Sequence, residues 1–342
     1  EPRYLITPLR RRARASRNRR APGRAGTLPW RISVVRRVGR VRFRDMAAAP
    51  PSLPPPATLI VGAGRLGVAL GEGLHRAGWP VVLIARGDAS AARAGARGLT
   101  VVRSLAVAAA AELVLLCVPD DAMSATALAL SDAPQVLRPS CVVLHTSGAV
   151  PAAALSAVAP RVAAIGSLHP LQTVTEHSGA GVLRGASAAV SGDPAAVVMA
   201  ERAAHAMGLI PFRLADEAKP LYHAASVIAA NFTVALLDVA ICLAADAGMP
   251  AEEARTAFAA LARGAADRVS CQATEEALTG PIARGDVGTV RAHLAALRQS
   301  RPEFVPLYVE AARCTLRLAQ RAGLGADAAL AIGAALDDPE RP

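Results

Sequence analysis

Polar residues that could bind a substrate or move a proton follow three apolar runs in this sequence. The three groups are Pro119-Asp120-Asp121, His145-Thr146-Ser147-Gly148 and His169-Pro170-Leu171-Gln172. In open α/β sheets, ligands bind beyond the carboxyl ends of the strands, so we expect the groups to share one crevice. One group alone could be a helix cap or a turn. The coincidence of three favours one shared site. We assign Thr146, Ser147, Gly148 and Gln172, together with Tyr222 of the second half, to substrate binding, and we count His169 among the candidate proton donors.

A fourth polar group lies at helical spacing in the second half of the chain. Tyr222, His223 and Ser226 follow Lys219 by three, four and seven positions and share its face, whereas Asn231 lies farther along the same helix. This stripe needs partners because a buried unpaired polar group costs roughly 1–3 kcal/mol. The partner could be another helix, a second subunit or a substrate. Histidine already titrates near neutrality, whereas a lysine would need desolvation to do so.

A glycine-rich turn, GAGRLG at residues 62–67, follows the apolar run TLIV and precedes a helical pattern. In such a turn the first glycine permits a tight bend, the second admits a pyrophosphate, and the third lets the helix pack closely on the strand. The helix N-terminus offers free amides to phosphate groups. Strand, turn, helix and second strand (VVLIA, 81–85) are all in place. We therefore predict a dinucleotide site made by Gly62, Ala63, Gly64, Arg65, Leu66 and Gly67.

The end of the second predicted strand indicates which dinucleotide is bound. NAD-binding proteins usually carry an acidic residue there, about 20 positions beyond the glycines, to bind the ribose. This chain has Arg86 instead, with Ser90 and Arg93 just beyond it. A guanidinium can bind a 2′-phosphate in bidentate fashion, which favours NADP(H) over NAD(H). The missing acid also weakens a methyltransferase interpretation, and a solvated arginine is the alternative role of Arg86.

The order of these elements predicts an α/β fold class. A doubly wound Rossmann domain at residues 58–214 is followed by an all-helical domain at residues 215–342. Runs at 186–190 and 209–214 could add final strands. From Asp216 onward, apolar residues recur at helical spacing, and the first helix runs from about Lys219 to Ala247. Its apolar stretch contains Asp238 and several other polar residues, so we predict a buried helix rather than a membrane span.

The basic charge of the chain belongs to its first residues. Fifteen arginines against Glu1 and Asp45 give residues 1–45 a net charge of +13, so the total of +11 leaves −2 for the rest. We predict a disordered basic and Pro-rich tail over residues 1–57. A transit peptide or an RNA-binding arm is the alternative. The near-neutral remainder predicts neither a nucleic-acid nor a membrane partner.

The cysteines and histidines predict the compartment and argue against a metal. Five widely spaced cysteines without a CxxC motif favour a reducing cytoplasm, and the seven histidines form no metal-binding pair motif. We therefore predict a cytoplasmic protein without a metal site.

Six motifs together resemble one protein family: GAGRLG, VPDDA, LHTSGA, GSLHPLQT, KPLYHAAS with AANF, and LTGPIARGD. In this order, from about Thr58 to Leu336, they are similar to Rossmann-like proteins with a C-terminal helical domain of unknown function. These proteins are often labelled as similar to deazaflavin-dependent NADP reductases. The resemblance implies a helical domain of the 6-phosphogluconate-dehydrogenase kind and a homodimer formed through it.

Looser resemblances imply roles for single residues. β-Hydroxyacid dehydrogenases and ketopantoate reductases carry a lysine and an asparagine on the first interdomain helix, to which Lys219 and Asn231 are similar. Prephenate dehydrogenases carry a His-Pro pair after a late strand, which His169 resembles. The turn at Ser147 and Gly148 resembles the loop that binds the substrate carboxylate in hydroxyacid dehydrogenases.

Two functions fit these observations. The first is an NADP(H)-dependent oxidoreductase acting on a small carbonyl, hydroxy-acid or imine substrate. Pro119 and Asp120 would flank the nicotinamide ribose, and the proton donor would be His223, Lys219 or His169, in that order. The second is a non-catalytic NADP(H)-binding or sensing protein with a helical interaction domain. Substrate-dependent NADPH turnover separates the two.

Overall fold

The computed structural model describes residues 53–133 and 137–337. Within them lie eight strands: β1 (Thr58–Val61), β2 (Val81–Ile84), β3 (Thr100–Val102), β4 (Leu113–Leu116), β5 (Val142–His145), β6 (Ala164–Pro170), β7 (Ser187–Gly192) and β8 (Ile210–Arg213). They form one sheet in the order β3-β2-β1-β4-β5-β6-β7-β8. The pairs are parallel except for β6 with β7, which is antiparallel. The order reverses between β1 and β4, and a ligand crevice is expected beyond the carboxyl ends of these strands.

Four helices pack on the two faces of the sheet: α1 (Arg65–Arg76), α2 (Asp88–Gly95), α3 (Met123–Asp132) and α4 (Pro194–Ala206). One apolar core joins one face of the sheet to α1, α2 and α4, and includes Leu70, Ala94 and Ala200. A second core joins the other face to α3 and includes Met123 and Leu130. Because both faces are covered, the strands are continuous apolar runs. The predicted doubly wound Rossmann fold is confirmed.

The helical part of the chain follows β8. Its helices are α5 (Lys219–Val227), α6 (Thr233–Asp246), α7 (Ala251–Cys271), α8 (Thr274–Ala277), α9 (Val287–Ser300), α10 (Val305–Arg321) and α11 (Ala326–Asp337). A π-helical turn, Ile228–Phe232, joins α5 to α6, so the predicted long first helix is continuous. A small core that includes Val290, Ile332 and Leu336 holds α9, α10 and α11 together.

The prediction that the long helix is buried is wrong for the single chain. Leu221, Ile228, Phe232 and Val234 are each more than half exposed. By length and composition, the helix Asp216–Asp246 could cross a membrane, and none of its most apolar window is buried. The hydropathy pattern correctly indicated an apolar helix. It could not show whether the surface that covers such a helix belongs to the same chain.

The predicted tail, residues 1–57, lies outside the described residues except for its last five. Two of those residues, Pro54 and Ala57, bond to the Rossmann fold. The Ala57 amide donates to the Glu112 carboxylate (3.0 Å), and the Arg202 guanidinium donates to the Pro54 carbonyl (2.6 Å). Contacts with the Rossmann fold therefore begin by Pro54.

Candidate active site

The glycine turn has the geometry of a dinucleotide cradle. Gly62 has a positive φ of 111°, and a Cβ there would lie 2.3 Å from the carbonyl oxygen of Cys117. A Cβ on Gly67 would lie 2.0 Å from the carbonyl oxygen of Gly62, so α1 could not pack this closely on the turn. A Cβ on Gly64 would meet nothing within 4 Å. The middle glycine thus leaves open space at the N-terminus of α1, as a bound pyrophosphate requires.

A groove of about 620 Å³ runs from this turn past the end of β2. It is lined by Arg86, Ser90 and Arg93, the residues predicted beside a 2′-phosphate, and also by Arg103. Arg103 donates to the carbonyl oxygen of Arg86 (3.0 Å) and pairs with Asp88. Sequence reasoning missed Arg103 because it missed β3, which Arg103 follows directly.

A second cavity, of about 480 Å³, begins at the other side of the glycine turn. Most of the predicted site residues line it: Gly64, Arg65, Leu66, Gly67, Pro119, Asp120, Thr146, Ser147, Gly148, His169, Gln172 and His223. The polar groups at the ends of β4, β5 and β6 therefore converge, together with one residue of α5. A single cavity joins the nucleotide cradle to two histidines.

Gly148 allows the two histidines to come together. A Cβ on Gly148 would lie 2.7 Å from His169 Cε1 and 2.9 Å from both His169 Nε2 and His223 Nδ1. The two imidazole rings have centroids 6.2 Å apart and planes inclined at 73°. Any larger residue at position 148 would displace one ring or both.

His169 is held in a neutral form. Its Nδ1 and the Tyr222 hydroxyl share a hydrogen bond of 3.0 Å. Burial, with smaller contributions from the neighbouring His223 and Lys219, lowers the pKa of His169 to about 4. His223 Nδ1 is buried, and among the described residues it has no hydrogen-bond partner. An unpaired buried nitrogen is costly, so a group bound in the cavity would satisfy it.

The turn after β5 depends on its own hydroxyl groups and on His145. The Ser147 hydroxyl accepts from the amides of Ala149 (3.2 Å) and Val150 (3.0 Å), and the Thr146 hydroxyl donates to the Leu116 carbonyl (3.3 Å). His145 is fully buried, and its Nδ1 accepts from the Ser147 amide (3.2 Å). Burial, assisted by Lys219, lowers the pKa of His145 to about 4. His145 thus supports the turn from beneath.

Other predicted site residues lie outside the cavity lining or bond locally. Lys219 is 2% exposed, and its Nζ donates to the Val150 carbonyl (2.9 Å) and the Ser167 hydroxyl (2.6 Å). Asn231 is exposed in the π-helical turn. The Gln172 side chain donates to the Val182 carbonyl (3.1 Å). The structure brings Lys219 beneath the site and leaves Asn231 apart from it.

Sequence families divide the chain into two parts. A Rossmann-like domain matches residues 54–183, and a domain of unknown function, DUF2520, matches residues 186–315. The chain carries a Rossmann-like domain followed by a DUF2520 domain. The DUF2520 match includes β7, α4 and β8, so it contributes two strands to the sheet as well as the helices.

Solved structures share this fold. A candidate NADP oxidoreductase from Bacteroides fragilis is 21% identical, with a TM-score of 0.64, over 76% of this chain and 98% of that one. Protein TM1727 of Thermotoga maritima is 24% identical, with a TM-score of 0.61, over 77% and 98%. The NADP-bound pyrroline carboxylate reductase of Plasmodium falciparum is 12% identical, with a TM-score of 0.52, over 78% and 98%. No curated protein matches the sequence.

The two domains each contribute to the cavity. The Rossmann-like domain supplies the glycine turn, the loop after β4, the turn after β5 and His169, which lies on β6. The DUF2520 domain supplies His223, and its Tyr222 bonds to His169. The site residues of the DUF2520 domain come from the first turns of α5.

Proposed function

We propose that this protein is an NADP(H)-dependent oxidoreductase that transfers hydride to or from a small carbonyl, hydroxy-acid or imine substrate. The observation that carries the proposal is the shared cavity, in which the glycine turn and the pair His169 and His223 line one space. The solved structures of the same fold include a reductase with NADP bound.

The Rossmann-like domain would hold the dinucleotide along the two cavities. The amides at the start of α1 would bind the pyrophosphate above Gly64. Arg86, with Arg93 and Arg103 nearby, would bind the 2′-phosphate in the groove past β2. Pro119 and Asp120 would flank the ribose on the nicotinamide side. When bound, the nicotinamide supplies or accepts the hydride.

Two histidines would manage the proton that accompanies the hydride. If the Tyr222 hydroxyl donates to His169 Nδ1, the neutral imidazole carries its hydrogen on Nε2, the atom beside Gly148. His169 could then donate a hydrogen bond to a substrate oxygen or nitrogen. His223, with its unpaired Nδ1, is the group that exchanges the proton.

The alternative, a non-catalytic NADP(H)-binding or sensing protein, accounts for the glycine turn equally well. It gives no role to the unpaired nitrogen of His223 or to the close approach of two histidines at Gly148. We therefore favour the enzyme.

A His223→Ala variant tests the proposal. General acid–base groups contribute about 10²–10⁴-fold to rate, so NADPH turnover with small carbonyl and imine compounds should fall by that order. NADPH affinity and melting temperature should change little, because the phosphates are held in the other domain. His205→Ala, at an exposed position on α4, is the matched control. Loss of fold or of NADPH affinity in His223→Ala would instead assign the residue a structural role.

We also propose that the protein is a homodimer in which a second copy covers the exposed face of α5–α7. That face includes Phe232 and Val234, together with Leu261 of α7, which is 65% exposed. A lipid bilayer is a poor occupant, because the helix starts from a lysine enclosed against the sheet and carries Asp238 within its apolar stretch. A second copy offers an equivalent apolar face, and a two-fold axis would bury the two faces against each other.

The oligomeric mass in solution tests the dimer. Phe232→Asp with Val234→Asp should convert a dimer into a monomer, whereas Val198→Asp, at a 62% exposed position on α4, should not. A monomeric wild-type protein, or its co-sedimentation with vesicles of neutral phospholipid, would contradict the proposal.

A further inference from the structure

Lys219 is a charged side chain enclosed at the junction of α5 and the sheet. It is 2% exposed, and burial lowers its pKa to about 8, although Asp216 and Asp120 oppose the change. Burying an ammonium group is costly unless it is paired and hydrogen-bonded. The structure shows what compensates the cost.

A ring of three hydrogen bonds and one ion pair closes around Lys219. Its Nζ donates to the Ser167 hydroxyl (2.6 Å), and that hydroxyl lies 2.8 Å from the Ser191 hydroxyl. Ser191 in turn donates to the Asp216 carboxylate (2.6 Å), which lies 3.8 Å from Nζ. Because the hydrogen of Ser191 is used on Asp216, Ser167 must donate to Ser191. Each hydroxyl therefore accepts once and donates once, an arrangement that strengthens every bond in the chain.

The helix α5 and the strand β6 contact each other at two points, of which the ring supplies the first. Ser167 and His169 are two positions apart on β6 and lie on one face of the strand. Lys219 and Tyr222 are three positions apart on α5 and lie on one face of the helix. The first contact joins Lys219 to Ser167, and the second joins Tyr222 to His169 (3.0 Å). A shift of α5 along β6 would break both.

We propose that Lys219 is a positioning residue that fixes the register of α5 on β6 and so holds Tyr222 against His169. It does not deliver a proton, because its Nζ is enclosed by the Val150 carbonyl, Ser167 and Asp216 and lies outside the cavity lining. The meaning of this role for catalysis rests on the proposed function. The structural coupling itself does not.

A double-mutant cycle on melting temperature, without substrate or cofactor, tests the proposal. Tyr222→Phe should lower the melting temperature of the wild-type protein, because His169 Nδ1 loses its partner. In a Lys219→Met background the same change should cause no further lowering. Equal lowering in both backgrounds would overturn the proposal.

Two further variants keep the test decisive. Ser167→Ala removes the first contact and keeps the charge of Lys219. It therefore replaces Lys219→Met if that protein does not fold, and the expected result is the same.

The control is a second histidine–tyrosine pair, His293 with Tyr308, which are bonded at 2.9 Å within the helical part. Tyr308→Phe should lower the melting temperature equally in both backgrounds. If its effect also disappears in Lys219→Met, general loosening explains the result and the proposal fails. Absence of NADPH turnover would refute the proposed function and leave this cycle intact.

Discussion

Replacing the fully buried His145 should make the protein less sensitive to acid. The pKa of His145 falls from 6.5 to about 4 in the folded state, with burial as the main cause. Between these values the unfolded chain binds a proton at this histidine and the folded chain does not. The contribution of this side chain to the free energy of unfolding is therefore fully present above pH 6.5 and is lost as the pH falls towards 4. At about 1.4 kcal/mol for each pKa unit, the loss from this one side chain is about 3 kcal/mol.

His145→Asn removes the titration and keeps, in its Oδ1 at the position of Nδ1, an acceptor for the Ser147 amide. We expect the free energy of unfolding of the variant, measured by urea denaturation from pH 4 to 8, to differ from wild type by a constant amount above pH 6.5. Below pH 6.5 the two curves should converge or cross, because the free energy of unfolding of the wild type falls by about 3 kcal/mol more than that of the variant. Curves that stay parallel down to pH 4 would refute the assignment of a neutral buried imidazole.

Three further outcomes follow from the site. Arg86→Asp should weaken NADPH binding by at least the ~1.5–3 kcal/mol typical of hydrogen bonds to charged groups, and should shift the preference towards NADH. Arg161→Asp is the control, and an unchanged NADPH affinity of Arg86→Asp in calorimetry would remove the arginine from the site. Gly148→Ala should leave NADPH affinity unchanged and abolish turnover, because its Cβ would lie within 3 Å of both histidines; full activity would show that the rings need not converge. Deleting residues 1–45 should leave NADPH affinity and melting temperature nearly unchanged, and a large loss of either would make the segment part of the fold.

The nucleotide half could be predicted because its signals are local. Continuous apolar runs bounded by glycine or polar groups predicted every strand except β3, which is a three-residue edge strand. The close contacts at Gly62 and Gly67 explain why the turn is recognisable, since no other residue fits there. Missing β3 also concealed Arg103.

The second half could be predicted less well because its features depend on contacts distant in sequence. Helical spacing placed Lys219, Tyr222 and His223 on one face, and the structure keeps them there. The spacing could not show that Lys219 bonds Ser167, 52 positions earlier, or that Tyr222 bonds His169. It also could not show that the long apolar helix is exposed in the single chain.

The close approach at Gly148 was likewise hidden. Its position in a loop after β5 predicted a substrate contact, but not the meeting of two rings from different domains. That meeting depends on how α5 lies on the sheet, which no local pattern of residues specifies.

A crystal structure of the protein with NADP⁺ bound would show whether the dinucleotide and the two histidines share one site. We expect the pyrophosphate at Gly64, the 2′-phosphate at Arg86 and the nicotinamide C4 in the cavity beside Gly148, facing His169 and His223. A dinucleotide bound with its nicotinamide outside that cavity, or with C4 turned away from both histidines, would contradict this expectation.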